Sequence, residues 1–177
     1  MKILIMCEGP NELEVVKILL ENDCFIFNED DLLNLTPFHA RQIKSSAAVK
    51  TALNIYPEND IVVYRIGDTQ NEKLVIPKEY EDKIERIERY CTKPELEMLL
   101  IIAEGLNAEY EKIKSKTSPK DFAKANIKLA GKRYNNSTKF YREYFGTKTE
   151  LLVEAIREYR RIKNHSKDEL FLADLLK

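Results

Sequence analysis

The chain has three cysteines, two histidines and no apolar run close to the roughly 20 residues needed to span a membrane. Cys7, Cys24 and Cys91 are odd in number and lack a paired CxxC spacing, which argues against a disulfide framework and a zinc site. Two of them stand in strand-like runs, where cysteine serves as a small buried hydrophobe. His39 and His165 are too few and too far apart for a histidine-rich metal site. The longest apolar candidate, "LEMLLIIAEGL", is broken by Glu97 and Glu104 and reads as a buried helix. Ile3 to Met6 is too short for a secretory leader, and an acidic segment follows at once, so a cytoplasmic protein with no membrane partner is expected. Neither a GxGxxG nor a GxxxxGK[ST] loop is present, which disfavours ordinary nucleotide binding. The sequence also offers no Ser/His/Asp or Cys/His arrangement, internal repeat or low-complexity tract.

What is present is a core and a charge division. Of 177 residues, 44% are hydrophobic and 33% charged, which suits a packed, well-solvated chain. Residues 1–109 carry 12 Lys and Arg against 21 Asp and Glu, whereas residues 110–163 carry 15 against 6. Either the basic stretch attracts a polyanion such as nucleic acid, or the two stretches attract each other within one fold.

"KILIMC" is a near-continuous apolar run of strand length, as expected of a strand buried on both faces. "GPNELEVVKILLEN" follows as a helix, with Pro10 in its first turn and acids near its start. "CFIF" reads as a second strand, and "SSAAVKTALNIY" as a serine-capped helix. "DIVVYRIGD" is the clearest strand, and the stretch around Pro37 is either an edge strand or a loop. "YEDKIERIERYC" reads as a charged amphipathic helix and "KPELEMLLIIAEGL" as a buried one. Further helices are predicted in "SPKDFAKANIKLAGKRY", "NSTKFYREYFG", "TELLVEAIREYRRIKNH" and "KDELFLADLL". The predicted class is α/β: a parallel-sheet core over residues 1–78, and a mostly helical extension over 79–177 packed on it.

Two predicted strands end in an acid beside a glycine: Glu8 before Gly9, and Asp68 after Gly67. Ligands of parallel α/β sheets sit beyond the carboxyl ends of the strands. With the helix starting near Pro10, Glu12 falls in its first turn, where it can meet Glu8 and Asp68. Such carboxylates suit a hard dication, Mg²⁺ or Mn²⁺, which can polarise a phosphoryl group and activate water. Each acid also has a plainer reading, as a solvated charge or a structural ion-pair partner.

"LIMCEGPNELEVVKILL" resembles the opening of the Toprim superfamily, the metal-dependent domain of topoisomerases, bacterial primases and small nucleases. It is most similar to the branch of the overcoming-lysogenization-defect nucleases, over roughly the first 75 residues. The resemblance implies a metal-dependent nuclease acting on DNA or RNA, in phage defence or a mobile element. It places Glu8 at the first acidic position, Glu12 at the accessory one, and Asp68 of "RIGDTQ" at the first aspartate of an Asp-x-Asp pair. Gln70 stands where the second aspartate belongs, so either Glu72 substitutes or the second metal position is lost. A degenerate module that binds nucleic acid or a protein partner without cutting is the alternative.

In that branch a further acid comes from the helical part, and Glu97, set between Leu96 and Met98, is the candidate. Unpaired, a buried carboxylate there is unfavourable, and a metal, Arg41 or Arg65 is its expected partner. Glu8, Asp68 and Glu97 are thus the catalytic candidates, and Glu8, Glu12 and Asp68 the metal ligands. Arg65, three residues before Asp68, either grips phosphate or pairs with an acid. Lys93 and His39 are weaker candidates at the cleft. Arg157, Arg160 and Arg161 share a helix face and are the predicted nucleic-acid contacts.

Overall fold

The computed structural model describes residues 1–68, 72–92, 95–163 and 168–177. Lys2–Cys7 forms β1, and Pro10–Glu21 forms α1. Phe38–His39 is β2, Ala47–Ile55 is α2 and Ile61–Gly67 is β3. All seven residues of β3, and five of the six in β1, are buried, the mark of strands covered on both faces. Phe38 settles the stretch around Pro37 as an edge strand, paired through Met6↔Phe38 and Cys7↔His39.

Ile84–Cys91 is β4, and this corrects the predicted charged helix. It runs parallel to β3 from Ile61↔Ile84 to Gly67↔Cys91. The register jumps from Ile61↔Ile84 to Val62↔Arg86, so Glu85 is an extra residue bulged out of the strand. That bulge puts Ile84 and Ile87 on one face although they are three residues apart, a spacing otherwise read as helical.

The chain then turns helical. Glu97–Ala103 is α3, Asn107–Ile113 is α4 and Pro119–Asn126 is α5. The predicted continuation of α5 through Tyr134 does not form. Lys128–Leu129 (β5) and Lys132–Arg133 (β6) instead make a two-stranded hairpin. Thr138–Phe145 is α6 and Thr149–Ile162 is α7. The final segment is not the expected helix either: Leu170–Phe171 (β7) pairs with β4, and Leu172–Leu175 is a single 3₁₀ turn. "CFIF" yields no strand, because Phe25 makes just an isolated bridge to Leu176 while Ile26 points outward.

The result is an α/β fold with a five-stranded parallel sheet in the order β2-β1-β3-β4-β7, followed in sequence by a mostly helical part. The sheet continues beyond residue 78 through β4 and β7. One face, carrying Ile3, Ile5, Cys7, Val62, Tyr64 and Ile66, packs under α1, α3 and the later helices. The other, carrying Leu4, Met6, Ile61, Val63 and Ile84, packs under α2. Among the described residues no helix is long and apolar enough to cross a membrane.

Candidate functional site

β1 and β3 are neighbours, with Cys7 level with Ile66, so Glu8 and Gly67 leave the sheet side by side at its carboxyl rim. The Glu8 amide donates to the Ile66 carbonyl at 2.9 Å and extends the ladder by one step. Alternation along β1 sends the Glu8 side chain to the α2 face, where its carboxyl group lies across Gly67. A β-carbon at residue 67 would overlap Glu8 Cγ and Cδ, so this strand-end glycine is the space that the carboxylate occupies.

Arg65 stands two residues earlier on the same face. Its Nη2 lies 2.8 Å from Glu8 Oε1, and both side chains are under 5% exposed. Nη1 donates to the Glu72 carbonyl, and Nη2 is 3.5 Å from Glu72 Oε2. Nε of this buried guanidinium has no hydrogen-bond partner among the described residues, and Nη2 is held by its ion pair with Glu8. Glu72 also accepts from Gln42 Nε2 at 3.0 Å, so its carboxylate is engaged on the Arg65 side. Gln70 lies outside the described residues, as do Lys93 and His165. At the same rim, Arg41 Nε donates to the Glu8 carbonyl at 3.3 Å, and His39 ends β2.

The other acids gather on the α1 and α3 side. Gly9, in extended backbone, is the N-cap of α1, and the Glu12 carboxylate folds back over it from the first turn. Burial pushes the Glu12 carboxyl above its ordinary range; its own backbone amide offsets part of this, and the negative charges of Asp68, Glu97 and Glu8 add to it. Acids from two strand ends and from the start of α3 therefore act on Glu12. Asp68 is exposed at the end of β3. Glu97 is 7% exposed in the first turn of α3. Its partner is neither Arg41 nor Arg65 but the Tyr134 hydroxyl, which donates to Glu97 Oε1 at 2.9 Å. Tyr141 Oη is 3.2 Å from Tyr134 Oη, forming a short tyrosine relay behind the carboxylate. Burial, with the nearby Glu97 charge, raises the Tyr134 phenol well above its usual value and keeps it a neutral donor.

The donor set is all oxygen, which is the chemistry of a hard dication. Among the described residues no three His, Cys, Asp or Glu side chains are placed to hold one ion together. Mg²⁺ does not require that, since it is commonly bound by one or two carboxylates with water and phosphate oxygens completing its shell. The raised pKa of Glu12 comes first from burial and then from the neighbouring negative charges, and only the latter part would be offset by a cation. Among the described residues Glu12 and Glu97 have no buried cation beside them, whereas Glu8 has Arg65.

The predicted nucleic-acid arginines are distributed differently. Arg160 pairs with Asp174, and Arg161 with Glu158 at 2.6 Å. Arg157 donates to the Lys177 carbonyl, and the Lys177 amide donates in turn to Cys24, just past the end of α1. Arg157 therefore lies at the far end of α1 from Glu12, whose first turn is about 14 Å from the helix end by the helical rise. Tyr134 and Tyr141 are site residues that sequence reasoning passes over as core aromatics. Their signal is that a buried tyrosine hydroxyl needs a partner. Compared with known proteins, the chain matches no family model, no curated protein and no solved structure.

Proposed function

We propose that this chain is a Toprim-like protein that handles phosphodiesters in nucleic acid with the help of a bound Mg²⁺ or Mn²⁺. The observation that supports this best is the placement of Asp68 at the end of β3 and of Glu12 and Glu97 in the first turns of α1 and α3, with the charges of the other two acids adding to the raised pKa of Glu12. The dication, when bound, would supply Lewis-acid polarisation of a phosphoryl oxygen and a more acidic water. Glu12 and Asp68 would bind it, with Glu97 held in place behind them by Tyr134. Arg65 pairs with Glu8 beneath the rim, and its buried Nε is suited to an ordered water.

The test is a Mn²⁺ titration with DNA and RNA oligonucleotides, comparing wild type with Glu12→Gln and Asp68→Asn. Cleavage that needs Mn²⁺ and falls at least about 100-fold in both variants is the expected result. A wild-type protein that neither binds Mn²⁺ nor cuts either polymer ends this reading.

A second reading is favoured by the Arg65–Glu8 pair, in which an internal cation occupies part of the acidic rim. There the chain binds nucleic acid without cutting it. Tight oligonucleotide binding in EDTA, with no cleavage in any divalent ion, selects this reading.

A further inference from the structure

Among the described residues, Arg160 and Arg161 of α7 are paired with acids, whereas three exposed cations without an acidic partner stand together on the β5–β6 hairpin. Lys128, Lys132 and Arg133 are all exposed, and none of their side chains makes an ion pair or hydrogen bond among the described residues. Lys128 and Arg133 are directly opposite each other across the two strands. Like charges in that position repel, and no acid stands between them to relieve it. A polyanion would.

The hairpin is built tightly. Ala130 and Gly131 form its two-residue loop with φ of 48° and 78°. Ile127 and Leu129 alternate inward, with Ile127 buried. The strand leaving the hairpin is anchored at once: the Tyr134 amide donates to the Ile127 carbonyl at 3.0 Å, and its hydroxyl reaches Glu97. The cationic pair therefore stands one residue from a side chain that touches the carboxylate cluster. Asn136 Oδ1 accepts from Asn11 Nδ2 at 3.1 Å and ties the following turn to the start of α1.

We infer that Lys128, Lys132 and Arg133 form a phosphate-backbone clamp that holds a nucleic-acid strand across the carboxylate rim. This rests on the nucleic-acid reading above and names the surface that would do the holding. Phosphate contacts of this kind are independent of sequence and release counterions, so affinity falls with salt by close to one logarithmic slope unit per contact.

The test is fluorescence anisotropy of the full chain with a labelled single strand and a duplex in EDTA, over a range of NaCl concentrations. Lys128→Gln/Lys132→Gln/Arg133→Gln should weaken binding at least about tenfold at 0.1 M salt and reduce the salt slope by roughly 2–3. Lys128→Arg/Lys132→Arg/Arg133→Lys should bind as wild type does. Lys44→Gln/Lys73→Gln/Lys78→Gln, which removes the same charge from the α2 side, should have less than about a threefold effect, as more distant charges are screened. If the first triple variant melts early, Lys132→Gln alone should reduce the slope by about one. Unchanged slope and affinity in the hairpin variants, or an equal loss in the α2-side variant, overturn the clamp and leave nucleic-acid binding standing. A wild-type protein that binds neither strand overturns the underlying reading as well.

Discussion

At the scale of single residues, the rim is governed by two glycines and one unfavourable charge. Glu12 holds its proton more tightly in the fold than in the unfolded chain, because of burial and three neighbouring acids. Ionising it therefore opposes folding: the penalty is complete above its folded pKa and absent below the ordinary carboxylate range. In EDTA at pH 7.5, Glu12→Gln is expected to melt roughly 2–4 °C above wild type, as about 1 kcal/mol would produce in a chain of this length. That lead should close as the pH falls to about 4. Equal melting points at pH 7.5 would show that ionised Glu12 carries no net penalty in the fold. The glycines separate fold from site. In Gly9→Ala the new methyl meets only the mobile end of Glu12, so stability should stay within about 0.5 kcal/mol while Mn²⁺ affinity drops. In Gly67→Ala it meets Glu8 Cγ and displaces a buried ion pair, for a loss of about 3 kcal/mol or more in denaturant unfolding.

At the scale of elements, β4 shows why part of this fold is legible in the sequence and part is not. β1 and β3 are continuous apolar runs, and their strand character follows from composition alone. The acids that end them fall at the rim through the same local rule. "IERIERYC" carries its apolar residues three apart, which is helical spacing, and only the partner strand reveals that Glu85 is bulged out. Deleting Glu85 would leave Ile84 and Ile87 two residues apart on one face of an unbulged strand, so the variant should still unfold cooperatively, and the exposed Glu85→Ala should melt as wild type does. Loss of the cooperative transition in the deletion variant would show that the bulge itself is needed for the sheet. The Arg65–Glu8 and Tyr134–Glu97 contacts are illegible for a related reason. Each joins residues far apart in the chain, and each depends on which elements become neighbours. The hairpin in place of a longer α5 belongs here too: Ala-Gly followed by "KRY" continues a helical pattern, yet the positive φ at both loop residues breaks it.

At the scale of the whole molecule, the charge division poses the question that its ion pairs answer. If the acidic and basic stretches existed to hold each other, their charges would be paired across the boundary. Among the described ion pairs, Arg142 alone joins residues 110–163 to residues 1–109, reaching Glu14 and Glu21 on α1. Most of the basic surplus is therefore not consumed by the acidic surplus and remains available to an external anion. Arg142→Gln should lower the melting temperature by roughly 2–4 °C, as a partly exposed pair worth about 1 kcal/mol would. Half a molar salt should shrink that difference, because screening at this range leaves little of a surface pair. The wild-type fold, held by apolar packing on both faces of its sheet, should move by no more than about 3 °C over the same salt range. Oligonucleotide binding should fall by orders of magnitude over it. A melting temperature that collapses with salt in step with binding would mean that the two stretches do hold each other, and that the basic stretch has no charge to spare for nucleic acid.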